Sequence, residues 1–515
     1  MTALPAGPGG RGGRDPLSGK EEGLADPVRF VDQRLGTSSL IKGTLRYVFP
    51  DHWSFLLGEI ALYSFVILIA TGTYLALFFV PSTAETVYHG SYVPLQGLSA
   101  SDAFVSTLNL SFDVPAGLLI RQTHHWAADL FIAAIVIHMA RIFFTGAFRK
   151  PRELNYMIGL TLLGLGLLEG FLGYSLPDDL LSGMGLIIAY GVALSVPGVG
   201  GQMSTLLWDG RFPGSDNFWP RLFIGHVFIV PAILGVLIAI HLAQIIRQHH
   251  ADFPGPGRKE RNTVGTPLWA GYLLRSLGWF FAVAAVLVLM GGLLQINPIF
   301  QWGPYETWRS TNGAQPDWYL GWLIGALRLV PPLEPRFFGH TWIPNPFWGG
   351  ALFPLVAFGV LYAWPWLEQR FLTKDFRRHD LLDRPRDNPR RTAFGAAFFS
   401  WIFLVFFAGS SDRLLVSVGF SYEGQIWFWR FAVWIVPLLI GWFTLRLCRQ
   451  LRATGQHPWR RWTGSTVRRN EAGGFDTVSV PVGSTAPGTG DGDGEPPTLG
   501  TEPGEPSRTP SGGYR

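Results

Sequence analysis

Cysteine is nearly absent: the 515 residues contain one, Cys448. A single thiol excludes an internal disulfide framework, a Cys-x-x-Cys-His attachment site, and a cysteine-ligated iron–sulfur cluster held by this chain alone. Any redox group would have to rest on histidine. Charge is scarce too. Asp, Glu, Lys and Arg make up 15% of the chain, against roughly 25% in a soluble domain. Residues 1–50 lack a leading apolar run, so no signal peptide is expected there. The pI near 9.3 comes with no nucleic-acid recognition fold, so nucleic acid is excluded as a partner. The excess of basic residues is the kind that marks cytoplasmic loops in membrane proteins.

What the chain has is apolar and aromatic bulk. It is 48% hydrophobic, with 21 Trp and 39 Phe. Mean hydropathy is only +0.22, because both ends are polar. Residues 1–26 are rich in Gly and Pro and charged. Residues 464–515 are richer still in Gly, Pro, Ser and Thr. Neither composition can build a packed core. Disorder is expected through much of 1–50 and across 451–515.

Between the tails, eight stretches are long and apolar enough to cross a bilayer. They fall at about 55–80, 122–146, 154–175, 219–247, 271–294, 348–366, 393–409 and 427–448. The expected fold is all-α and polytopic. Residues 51–250 form a four-helix bundle and 251–450 a second four-helix region. The loops alternate in charge. The segment before the first span has seven Lys/Arg, the loop 81–120 none, and the loop 367–392 eight. The loop 295–347 is mixed, with three Arg. The positive-inside rule then puts both termini in the cytoplasm. The loops 176–218 and 295–347 exceed ordinary connection lengths, as functional loops often do. They are expected to cap the outer face together.

Titratable groups inside spans need a reason. The second span carries His124 and His138, 14 residues apart. That spacing is about 21 Å along a helix and about 40° around it. His125 lies about 140° from His138, so His124 is the partner on that face. The fourth span carries His226 and His241, 15 apart, about 60° around the axis. His124 and His226 then meet at an outer level, and His138 and His241 at an inner one. Two bis-histidine haems stacked across the membrane fit this arrangement. Gly58 and Gly72 on the first span, and Gly159 and Gly173 on the third, repeat the 14-residue interval. Glycine lets a flat macrocycle approach backbone closely. Arg121 and Arg141 each sit about one turn from a histidine, toward the nearer aqueous face, placed to meet haem propionates.

With those residues in view, the chain resembles the cytochrome b family of respiratory and photosynthetic bc-type complexes. The carrying motifs are Arg-x-x-His…His-x-x-Arg on the second span, the histidines of the fourth, and the paired glycines. RELNYMIG, GYSLP at Gly173–Pro177 and PDWY at Pro316–Tyr319 add to them. The resemblance covers about residues 45–450. LPDD after GYS, together with PDWY, is most similar to actinobacterial menaquinol-oxidising complexes. The resemblance implies a quinol-oxidation site between GYSLP and PDWY, where Asp317 accepts a proton and Tyr319 and Tyr174 line the pocket. Asp317 is one methylene shorter than the family's usual glutamate, which leaves its reach to be compensated. The resemblance also implies electron transfer through the outer and then the inner haem to an inner quinone-reduction site, coupled to proton translocation across a plasma membrane. Implied partners are a Rieske iron–sulfur protein, a cytochrome c subunit, a second copy of this chain and a terminal oxidase.

Pro177-Asp178-Asp179 stands where the family usually has Pro-Trp. Proton release and contact with a basic partner are both open for them. Glu59, Asp129 and Glu169 are further acids in or near spans, and Glu59 beside Gly58 is a candidate for the inner quinone site. Arg247, His249, His250 and Arg275 are other inner-face candidates. Two rival functions remain: a di-haem quinone-reducing anchor of another dehydrogenase, and a haem-free membrane transporter.

Overall fold

The computed structural model describes residues 47–454 apart from 256–257, 261 and 311–314, together with Arg34, Leu45 and two strands near the C-terminus. The expected disorder of 1–50, and of 451–515 outside those strands, lies almost wholly outside the described residues. The two strands, Ser465–Arg469 and Phe475–Ser479, pair antiparallel.

Among the described residues, eight helices are long and apolar enough to span a membrane, and each falls where the sequence placed one. They are Trp53–Ala76, Gly117–Thr145, Glu153–Ser175, Phe218–Gln248, Leu273–Leu293, Phe347–Thr373, Pro389–Ser410 and Tyr422–Ala453. Their outward faces carry side chains that only lipid would solvate, such as Val236, Leu289 and Leu438. The first span packs along the second, the third against the second and fourth, and the fifth against the first and second. Between the two histidine levels the bundle is filled by Ala61, Phe131, Ile132, Ala134 and Leu163. Gly166 lets the Phe131 ring lie against the third span, where an added Cβ would be 3.2 Å away.

The fourth span is not a uniform α-helix. Gly225–Ile229 forms a π turn between α-helical Phe218–Ile224 and Val230–Gln248. Such a turn absorbs one extra residue. The 15-residue interval from His226 to His241 therefore winds like one of 14, and matches the interval on the second span.

The two long loops are stitched together, as expected. Leu180 N–H donates to the Gly303 carbonyl at 2.9 Å and Tyr305 N–H to the Asp178 carbonyl at 2.9 Å. Each loop contributes a helix, Leu180–Leu194 and Gly321–Leu329. This end of the bundle is called outer below. The opposite, inner end is tied by ion pairs. Arg391 is fully buried and forks onto Glu368, reaching Asp383 at 2.8 Å. Arg152 meets Asp380 at 2.8 Å and Arg149 meets Asp383 at 3.1 Å. Several of the basic residues that suggested orientation thus also join the inner loops to one another.

Candidate functional site

All four histidines turn inward, and each faces the glycine expected at its level. A Cβ on Gly72 would lie 3.1 Å from His124 Cε1, and one on Gly58 would lie 3.3 Å from His138 Cε1. Across the bundle the figures are 2.5 Å for Gly173 against His226 and 3.8 Å for Gly159 against His241. The glycines make room for the imidazoles themselves. At the outer level the His124 and His226 rings are 6.2 Å apart between centroids, with planes at 84°. A metal–imidazole bond is about 2 Å long, so two such bonds and the adjoining half-rings span about 6 Å.

Each outer histidine has a polar neighbour at its other nitrogen. Thr71 Oγ1 donates to the Ile67 carbonyl at 2.7 Å and stands 2.9 Å from His124 Nδ1. With the hydroxyl proton already committed, Nδ1–H must be the donor, which leaves Nε2 free as a ligand. Glu169 Oε1 is 2.8 Å from His226 Nδ1. That contact lacks hydrogen-bond geometry, and the Nδ1 atoms of His226, His138 and His241 are all buried with no hydrogen bond. So are Arg121 Nε and Arg141 Nη2. Arg121 otherwise reaches the Asn297 carbonyl at 3.2 Å, and Arg141 lies over the Phe55 ring at 4.2 Å. Orphaned buried donors beside paired imidazoles fit an anionic macrocycle at each level.

An outer cavity of about 260 Å³ joins His124 and His226 to the loop residues. Tyr174, Asp317 and Tyr319 all line it, so the residues expected to flank quinol come together. Tyr319 hydroxyl donates to Asp317 Oδ2 at 2.9 Å. His125 Nε2 lies 2.9 Å from Asp317 Oδ1 and 3.0 Å from Oδ2. Burial raises the Asp317 carboxyl's pKa, but the charge and hydrogen bond of His125 and the bond from Tyr319 outweigh it and hold it below the usual carboxylate value. Burial and the neighbouring Asp317 push the Tyr319 phenol well above its ordinary value, so it stays a donor.

His125 is the residue the sequence reading set aside. Its 140° offset from His138 removed it from the histidine face, and the same offset aims it at the PDWY loop. That offset was the available signal. Asp129, one turn further along the same helix, is buried on the side that faces this pair.

The remaining candidates separate. Asp179 is fully buried and caps the helix Leu180–Leu194, accepting from Ser182 N–H at 3.2 Å. Asp178 adopts a positive φ of 52° at the stitch to Tyr305. Burial pushes Asp179 up to about 6 and Asp178 up to about 7. At the inner end, His250 Nδ1 pairs with the Tyr47 hydroxyl at 2.9 Å, and His249 stacks on the Tyr47 ring. Arg275 pairs with Asp51 at 2.9 Å. Glu59 lines a separate inner cavity.

Eight apolar helices among the described residues, with histidines turned inward at two levels of the first four, define a multi-pass membrane protein of the electron-carrying kind. Comparison with known proteins narrows the class. The family described as Cytochrome b(N-terminal)/b6/petB matches residues 129–304. The cytochrome bc1 complex cytochrome b subunit of Streptomyces coelicolor is 47% identical over 423 residues, covering 82% of this chain and 77% of that one. Its namesake in Mycobacterium tuberculosis is 47% identical over 464 residues, covering 90% and 84%. A solved structure described as Hyperthermophilic respiratory Complex III shares the fold at a TM-score of 0.59 and 21% identity, covering 81% of this chain and 99% of that one. The chain belongs to the cytochrome b family, as the cytochrome b subunit of a bc1-type complex. That complex is a quinol-oxidising oxidoreductase, with haem b as the family's cofactor and quinones as its substrates. The reading as a haem-free transporter has no support left.

Proposed function

We propose that this subunit oxidises quinol at the outer cavity, reduces quinone at the inner end, and couples the two to proton release outside and uptake inside. The observation that carries the reading is the two-level set of histidines, each seated against a glycine, with the Asp317 cluster opening onto the outer level. His124 and His226 would hold one b haem, and His138 and His241 a second. Gly58, Gly72, Gly159 and Gly173 give the rings room, and Arg121 and Arg141 meet the propionates. Bound haem would supply a one-electron carrier at each level.

Asp317 accepts a proton from the quinol hydroxyl, which requires a carboxylate within hydrogen-bond reach. Its shorter side chain is compensated by neighbours: His125 and Tyr319 hold the carboxylate in one orientation, and charge-assisted bonds of this kind are short and strong. Tyr174 closes the apolar side of the pocket. The Asp317 cluster favours this reading over a quinone-reducing anchor with no outer site. Asp179 serves as a helix cap, while the role of Asp178 stays with the loop stitch.

One electron per quinol leaves to a separate iron–sulfur protein, because one cysteine cannot hold a cluster. A Rieske protein, a cytochrome c subunit, a second copy of this chain and a terminal oxidase are the proposed partners. The proposed setting is the plasma membrane, with both termini cytoplasmic and menaquinol as substrate. A reduced-minus-oxidised spectrum with a haem count tests the core of this. Two b haems per chain are expected, with His138→Ala or His241→Ala losing one of them. A count other than two would overturn the assignment.

A further inference from the structure

The third span repeats a short pattern at the two histidine levels. Glu169 stands one turn before Gly173 and Asn155 one turn before Gly159, so Glu-x-x-x-Gly at the outer level answers Asn-x-x-x-Gly at the inner one. Residues four apart share a helix face. The face that seats each imidazole on a glycine therefore also carries a polar residue beside it. At the outer level the approach is close, with Glu169 Oε1 at 2.8 Å from His226 Nδ1. At the inner level Asn155 is buried, and its main-chain carbonyl bears on His241. The first span shows the same inequality. Thr71 stands beside His124, and its counterpart 14 residues earlier is Leu57. Both outer imidazoles thus have a polar side chain at Nδ1, and of these only Glu169 can carry charge.

Glu169 is costly where it stands. It lies within a span, its side chain is 16% exposed, and its Oε2 is buried with no hydrogen bond. An acid kept in such a place calls for a functional reason. With Nε2 of His226 as the ligand, Nδ1 carries the ring proton, and Glu169 is the group set against it. The approach is one of charge and proximity, without the direction of a hydrogen bond. Charge suffices here. A carboxylate behind a ligating imidazole raises the basicity of that ligand. At this depth it is little screened, and it favours the more positive, oxidised iron over the reduced one.

We propose that Glu169 is a positioning residue that acts through His226 to lower the reduction potential of the outer haem. The inference rests on the reading of His226 as an outer haem ligand. The two levels are otherwise alike, each with two imidazoles, two glycines and one arginine. Glu169 gives them different affinities for an electron, so that one shared between the levels is held at the inner. The third span supplies that sidedness with one carboxylate where its inner repeat has an amide.

The test is a redox titration of the purified complex, with low-temperature difference spectra resolving the two b haems and the inner one assigned by its loss in His138→Ala. The readout is a potential, which needs no turnover. Glu169→Gln keeps the size and an accepting oxygen and removes the charge. It is expected to favour the reduced outer haem at least tenfold, about 59 mV for one electron, and to leave the inner haem where it was. An outer change of less than twofold, or equal changes in both haems, would overturn the assignment and leave Glu169 as part of the outer cavity wall. Should Glu169→Gln fail to hold the outer haem, Glu169→Asp is titrated in its place. It keeps the charge and is expected to stay within threefold of the parent. A tenfold change despite the retained charge, or loss of the outer haem from this variant too, would overturn the proposal. A parent complex with fewer than two b haems would instead sink the reading of His226 on which the inference rests.

Discussion

Gly173→Ala is the sharpest perturbation the bundle offers. The new Cβ would sit 2.5 Å from His226 Cε1, closer than non-bonded carbons approach. The atom in the way belongs to a ring that cannot flex, and that ring is needed where it is. Either His226 swings off its level or the third and fourth spans part. Overpacking of this kind costs about 1–3 kcal/mol, a factor of about 5 to 150 in affinity for whatever the imidazole holds. Gly159→Ala is the matched control. Its Cβ would meet His241 Cε1 at 3.8 Å, an ordinary contact, and alanine is better than glycine within a helix by about 1 kcal/mol. Gly72 and Gly58, at 3.1 and 3.3 Å, fall between. Haem per chain, with low-temperature difference spectra to separate the two levels, should follow the order of these distances. Gly173→Ala should lose the outer haem, Gly159→Ala should keep both, and Gly72→Ala should suffer more than Gly58→Ala. Equal loss in Gly173→Ala and Gly159→Ala, or full retention in Gly173→Ala, would refute the idea that these glycines exist to seat the rings.

Asp317→Asn keeps the shape of the outer cluster but cannot take a proton; quinol oxidation should fall by about two to four orders of magnitude, with the haem spectrum unchanged. Thr71→Val removes the acceptor on His124 Nδ1 without changing volume. One hydrogen bond is worth about 0.5–1.5 kcal/mol, or about 20–60 mV for a one-electron couple, so redox titration should show a shift of that size in one b haem alone. Glu368→Ala removes one of the two carboxylates on the buried Arg391 guanidinium and leaves only Asp383 at 2.8 Å, a loss of up to about 3–5 kcal/mol; thermal denaturation in detergent should shift far more than for Asp51→Ala, whose ion pair with Arg275 is exposed.

The spans and the four histidines were legible because both rest on helical arithmetic within single segments. Hydropathy set the spans, and a 14-residue interval placed two rings on one face. The glycines were legible for the same reason, although their contact proved to be with the imidazoles. What stayed hidden lies between segments. Asp317 and His125 are 192 positions apart, and no local pattern joins them. The inner cavity draws on the first and fifth spans, and the Glu59 network crosses more than 200 positions to reach Tyr272 and Ser276. The capping role of Asp179 was hidden differently. Two adjacent acids beside a reactive site suggested chemistry, while the requirement for a side-chain acceptor at the start of Leu180–Leu194 shows only once the helix is placed.

The wide turn at Gly225–Ile229 changes what an interval between two inward-facing histidines means. Ring direction depends on how the backbone is wound as well as on how many residues intervene, so one loosened turn makes an interval of 15 equivalent to one of 14. A search that fixes the count between paired histidines would pass over chains that keep the facing and alter the number. The quantity to conserve is rotation about the axis, and a single surplus residue can be hidden in it without moving either ring.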